Sequence, residues 1–150
     1  MLVFITISII YNNKLNHISK ILNLDVGNCE LVNSVNTHDG FLGDGEYFSK
    51  LKCSSKEDDE IKLKWEKLPI NEELQKAMDY KLCSDLGCSN FFERYNVQII
   101  ENGYYYFYDR HFDAKDNKND LNLNNRSSYN FSVGLFDSDT KMLYFYELDT

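Results

Sequence analysis

Residues Asn102–His111 read NGYYYFYDRH, and Arg126–Thr150 read RSSYNFSVGLFDSDTKMLYFYELDT. The unbroken aromatic run Tyr104–Tyr108 puts rings on both faces of a strand, because side chains alternate sides at every residue. A strand of that kind needs cover on each side and belongs inside a sheet. Tyr129, Phe131, Val133 and Leu135 alternate with Asn130, Ser132 and Gly134, which predicts a strand with one wet face. Asp137-Ser138-Asp139-Thr140 supplies turn residues. After it, Met142, Tyr144, Tyr146 and Leu148 line one face of a last strand, and Leu143, Phe145 and Glu147 line the other.

Upstream, Cys29–Asn36 and Glu46–Cys53 predict a first hairpin. The loop between them holds His38-Asp39-Gly40-Phe41-Leu42-Gly43-Asp44-Gly45, rich in residues that tolerate positive φ. Ser54 or Ser55 can cap a following helix, with acids Glu57–Glu60 at its start and Lys62, Lys64 and Lys67 at its end. Ile61, Trp65 and Leu68 give that helix one apolar face, and Pro69 stops it. Asn71 can cap a second helix that buries Leu74, Ala77, Met78 and Leu82. Phe91–Ile100 reads as a strand or an irregular connector, and Asp113–Asn125 as an exposed loop.

These elements predict an α+β fold. Its mainly antiparallel sheet has about five strands, with two helices inserted between an N-terminal hairpin and the C-terminal aromatic strands. Residues 25–150 form the single domain, preceded by an apolar segment and linker over residues 1–24. Met1–Tyr11 (MLVFITISIIY) is half the roughly 20 residues that span a bilayer, and it lacks a signal peptide's basic start. It reads as a degenerate membrane anchor, a tether through residues 1–11, or as a buried strand. Leu15–Leu24 reads as an amphipathic or linker stretch.

The formal charge of −8 and the excess of 24 acids over 16 bases exclude general binding to nucleic-acid backbones. An aromatic content of 15% supplies enough buried area to exclude disorder of the whole chain. No phosphate loop, dinucleotide fingerprint, nucleophile elbow or zinc-protease motif occurs, and no cofactor is expected.

Six residues make a candidate ligand or metal site: His38, Asp39, Asp44 and Glu46 on the glycine loop, and Asp109 and His111 at the end of the aromatic strand. An imidazole pair among carboxylates suits a hard metal or acid–base chemistry, provided the strand end lies beside the loop. Cys29, Cys53, Cys83 and Cys88 are candidate disulfide cysteines, with Cys83 and Cys88 close in sequence and Cys29 and Cys53 able to meet across the first hairpin. Free buried thiols are the competing reading. Arg110 and Arg126, with Arg94, are the arginines available to an anion, and pairing with the abundant acids is their simpler role.

The segments Thr37–Glu46, Trp65–Pro69, Asn102–His111 and Arg126–Thr150 together resemble a family of small uncharacterised proteins of clostridia and related Gram-positive bacteria. The resemblance implies a membrane-tethered or exported domain and no established activity. The chain departs from that family's pattern at Asp39, where the family has Gly, and at Leu42, where it has His.

The resulting expectation is a non-enzymatic module at the cell envelope that binds a protein partner. Two alternatives stand beside it. One is a metal-assisted hydrolase using Asp44, Asp109 and His111. The other is an acidic cytoplasmic inhibitor or immunity-like protein with reduced thiols.

Overall fold

The computed structural model runs α1 (Leu2–Leu22), β1 (Glu30–Asn36), β2 (Gly45–Lys52), α2 (Ser55–Lys64), β3 (Glu66–Lys67), α3 (Glu72–Asp85), α4 (Phe91–Arg94), β4 (Gly103–Asp109), β5 (Asn130–Asp137) and β6 (Met142–Asp149). The structure describes residues 2–38, 43–85, 89–110, 123, 126 and 128–150, with residues 2–10 and 80–85 described as backbone alone. The strands form one six-stranded sheet in the order β1-β2-β6-β5-β4-β3, and every neighbouring pair is antiparallel. The α+β architecture follows the sequence reading, with one extra two-residue strand and two extra helices.

The C-terminal hairpin forms as its turn residues dictate. Asp137 accepts from the Asp139 and Thr140 backbone amides at 2.9 and 3.3 Å, and Lys141 takes the left-handed φ of 57° that returns the chain. The aromatic strand β4 divides its rings between two apolar layers. Tyr105 and Phe107 enter the layer under α3 and α4, and Tyr104 and Tyr106 pack against the layer under α1 and α2.

The expected wet face of β5 is absent. Ser132 is fully buried, and β5 is covered on both sides. The cover comes from α1 and from Trp65. Tyr11, Leu15, Ile18 and Leu22 recur at helical spacing, and the last three are buried in the layer that also holds Trp65, Phe136, Leu143 and Phe145. The 2–22 segment is therefore one helix rather than a strand followed by a linker. Reading Met1–Tyr11 and Leu15–Leu24 apart hid a stripe that continues across Asn12, Asn13 and Lys14. Among the described residues no helix is long and apolar enough to cross a membrane.

The helix start at Ser54 is a capping box: Ser54 accepts from the Lys56 amide, and Glu57 accepts from the Ser54 amide at 2.9 Å. The helix ends at Lys64, earlier than the apolar spacing predicts. Trp65 closes it, and β3 then pairs Glu66 and Lys67 with Tyr105 and Tyr104 at the sheet edge. That crossing separates the predicted stripe. Ile61 and Trp65 stay in the α1/α2 layer, whereas Leu68 packs in the opposite one. Buried Asp58 pins α2 to the β5–β6 turn, accepting from Ser138 Oγ at 3.0 Å and pairing with Lys62 and Lys141.

Asn71 caps α3 as expected, accepting from the Leu74 amide at 2.9 Å. Phe91–Ile100 is neither strand nor wholly irregular: Asn90 caps the short helix α4, which seats Phe91 against Phe48 and Tyr146. Cys29 and Cys53 form a disulfide with Cα atoms 4.4 Å apart, tying the ends of the first hairpin together. A bridge closing a segment of that length stabilises by about 3 kcal/mol in the chain-entropy account. The proposed Cys83–Cys88 bridge lies outside the described residues.

Gly134 is the point where the α1/α2 layer approaches β5 most closely. A Cβ there would sit 2.5 Å from Trp65 Cη2 and 3.0 Å from Leu22 Cδ2. Gly134→Ala should therefore lower stability by about 1–3 kcal/mol through overpacking. Chemical denaturation followed by Trp65 fluorescence checks this, with the Trp65 emission shifted in the folded variant.

Candidate functional site

Strand register assembles the site. Tyr47 on β2 lies opposite Asn36 on β1 and Glu147 on β6, and Glu147 lies opposite Ser132 on β5. Directly opposed residues share a face, so these four form one row across the sheet. The row lies on the face that α1 covers, and His17 of α1 reaches it. His17 Nε2 is 2.8 Å from Glu147 Oε2, while Ser132 Oγ donates to Glu147 Oε1 at 3.0 Å.

A second group closes the strand ends. His38 Nε2 meets Asp149 at 2.9 Å, and its Nδ1 meets Asn36 Oδ1 at 2.8 Å. Arg110 pairs with the other Asp149 oxygen at 2.8 Å and donates to the Phe131 and Leu148 carbonyls. The two groups wall a cleft of about 460 Å³ lined by Asn13, Lys14, His17, Asn36, His38, Tyr47, Arg110, Glu147 and Asp149. Arg110 and Asp149 also line an adjoining hollow with Gly43 and Asp44.

Two buried donors at the cleft have no hydrogen-bond partner among the described residues: the Tyr47 hydroxyl and Arg110 Nε. Tyr47 is only 6% exposed, its ring held edge-on against Phe145 and 6.3 Å from the His17 ring. A buried donor left unpaired costs roughly 1–3 kcal/mol, so such groups mark places where an acceptor is missing.

Of the six residues singled out in the sequence, the four that the structure describes, His38, Asp44, Glu46 and Asp109, do not come together at one point. Glu46 faces the opposite side of the sheet, buried, and is satisfied by Arg94 at 2.9 Å, Tyr95 at 2.9 Å and Tyr146 at 3.2 Å. Burial, reinforced by the Glu46 charge, pushes both tyrosine hydroxyls far above their ordinary range. Asp109 is buried in an ion pair with Arg126 at 2.7 Å. The strands β6 and β5 stand between β2 and β4, which places those two about 14 Å apart at ordinary strand spacing. His38 and Asp44 each share a cavity lining with Arg110 rather than with Asp109. Consecutive strand residues point to opposite faces, and that one step in parity decides which of the two reaches the cleft. Asp39 and His111 lie outside the described residues. Among the described residues no group of three or more His, Cys, Asp or Glu is placed to hold a metal ion.

Arg94, Arg110 and Arg126 all take the ion-pair role expected of them. His17, Tyr47, Glu147 and Asp149 were not singled out. Glu147 carried a legible signal, since it shares a strand face with Leu143 and Phe145, and an acid on an inward face needs a buried partner. His17 becomes legible only once residues 2–22 are read as one helix, which sets it beside the Leu15–Ile18–Leu22 stripe.

Among the described residues the cleft holds no ready nucleophile. Ser132 donates to the carboxylate rather than to the imidazole, and it is wholly buried. A second concavity of about 500 Å³, on the other side of the sheet, is apolar and lined by Leu68, Ile70, Phe92, Ile99, Ile100 and Leu135, with others. Among the described residues that line it, Glu72 is the one group able to move a proton. No protein-family model matches the chain, and no curated protein or solved structure matches it either.

The hydrogen bond from Glu147 raises the pKa of His17 above its ordinary 6.5, and the Glu147 charge adds to it against desolvation. Burial pushes Glu147 up, but the His17 bond and charge, Arg110 and Ser132 outweigh it and hold the carboxyl below its ordinary 4.5. The raised imidazole stabilises fully below pH 6.5 and loses its contribution as pH rises through the folded value. The lowered carboxyl stabilises above pH 4.5 and loses its contribution as pH falls through its own folded value. The advantage of the native chain over His17→Gln should therefore be greatest between pH 4.5 and 6.5 and shrink on either side. Paired thermal melts from pH 4 to 9 check this, and a constant difference across the range would contradict the pairing.

Proposed function

We propose that this domain is a non-enzymatic binding module that works at the cell envelope and takes its ligand in the cleft between α1 and the ends of β2 and β6. The single observation carrying this is the pair of buried, unpartnered donors at a cleft of about 460 Å³. That volume falls within the range of small-molecule sites, roughly 300–1,000 Å³. The imidazoles of His17 and His38 are both engaged by carboxylates, and among the described residues no accessible hydroxyl or thiol is hydrogen-bonded to either one. Such a site orients and holds a ligand without a group poised to attack it.

The Cys29–Cys53 bridge supports the envelope location over the cytoplasmic alternative, since disulfides persist in oxidising compartments. The resemblance to exported or membrane-tethered proteins of Gram-positive bacteria points the same way. Asp109, one of the three residues of the hydrolase alternative, is engaged by Arg126 on the far face, which favours the binding reading.

Two measurements test the assignment. In a thermal-shift screen coupled to ester, phosphoester, glycoside and peptide hydrolysis assays, the chain should gain stability with a ligand and turn nothing over. Turnover that disappears in His17→Gln would overturn the non-enzymatic assignment. In protein alkylated directly in its producing cells, Cys29 and Cys53 should stay unlabelled until reductant is added. Labelling of both without reductant would sink the envelope location.

A further inference from the structure

Tyr47 is more than nine-tenths buried, lines the cleft, and keeps a hydroxyl with no hydrogen-bond partner among the described residues. Arg110 also lines the cleft, and its Nε has no hydrogen-bond partner among the described residues, although the rest of its guanidinium is anchored by Asp149 and two backbone carbonyls. Both groups are donors. An acceptor suits both, and a guanidinium and a phenol lining one cleft suit an oxygen that carries negative charge.

The charges around the cleft define that anion further. Lys14 and Arg110 bring fixed positive charge, and His17 and His38 bring imidazoles. Against them stand Glu147 and Asp149, each already engaged by a histidine and by Arg110, with Asp44 farther out in the adjoining hollow. Lys20 of α1 also acts on His17 through its charge. A single negative charge fits among these paired carboxylates. A dianion adds repulsion from Glu147 and Asp149 that the site does not offset. The rings of Tyr47 and His17 give the wall an apolar surface for an organic body.

We propose that the cleft is a carboxylate-binding site, in which the Tyr47 hydroxyl and the Arg110 guanidinium hold the acid of a small organic acid or of a peptide C-terminus. This rests on the binding-module assignment above and names the chemistry of its ligand. Lys14, half-buried and donating to Ser34 Oγ at 3.1 Å, lines the cleft and adds fixed positive charge that attracts the acid.

The test uses the folded, disulfide-bonded chain and titrates it with benzoate, with propionate, with inorganic phosphate, and with an acetylated trialanine ending in either a free carboxylate or an amide. Binding is read from the His17 and His38 imidazole resonances. Saturable binding of benzoate or propionate marks a small acid as the source, and binding of the free-acid peptide but not its amide marks a chain end. Either result supports the site. In Tyr47→Phe the affinity for the acid should fall about tenfold or more, since a hydrogen bond to a charged group is lost. Its melting temperature should stay level or rise, because the hydroxyl has no partner among the described residues. Equal binding by Tyr47→Phe, equal binding of acid and amide peptides, or phosphate binding as tightly as propionate would each overturn the proposal. If every acid fails while the thermal-shift screen finds a ligand of another class, the carboxylate assignment falls and the binding-module assignment stands.

Discussion

The central strands β5 and β6 are dry on both faces, and most of the remaining structure answers to that constraint. Their side chains alternate between two apolar layers, so a helix layer must close over each side. On one side α3 and α4 bring Leu74, Met78 and Phe91. On the other, α1 and the end of α2 bring Leu15, Ile18, Leu22, Ile61 and Trp65. Gly134 sets how closely that second layer can approach, since only a residue without a side chain leaves room for the indole.

Dry faces make polar groups expensive, and this sheet buries several acids. Four of them are held by a cation or hydroxyl from outside their own element: Glu46 by Arg94, Tyr95 and Tyr146; Asp58 by Lys141 and Ser138, beside Lys62 of its own helix; Asp109 by Arg126; Glu147 by His17, Ser132 and Arg110. Breaking a buried pair leaves an uncompensated charge, which is far costlier than losing an exposed one. These contacts therefore fix where helices and turns lie on the sheet. They also explain why carboxylates that look available in sequence are spent on structure.

The cleft arises where that pattern ends. At the strand termini α1 crosses the sheet without filling the space beside Tyr47, and Arg110 folds back across β5 and β6 to hold their carbonyls. Cations and acids meet there in pairs that remain partly open to solvent. An orphaned phenol and an orphaned guanidine nitrogen beside paired charges distinguish this corner from the fully satisfied cluster around Glu46 on the opposite face.

The local pattern of the chain determined the strands, the turn at Asp137–Thr140, the caps Ser54 and Asn71, and the aromatic alternation of β4. Each depends on neighbours within a few residues, where side-chain period and backbone preference act directly. The tertiary structure decided the rest. It made residues 2–22 a single docked helix, because the face of β5 that looks polar through Ser132 and Gly134 is covered by Leu22 and Trp65. It sent Leu68 to the opposite layer from Trp65 by passing the chain around the sheet edge at β3. It divided the neighbours Asp109 and Arg110 between opposite faces, and the strand order kept Glu46 apart from Asp109. Which charged groups share a site depends on strand order and register, and those are settled by pairings between residues as far apart as Tyr47 and Glu147.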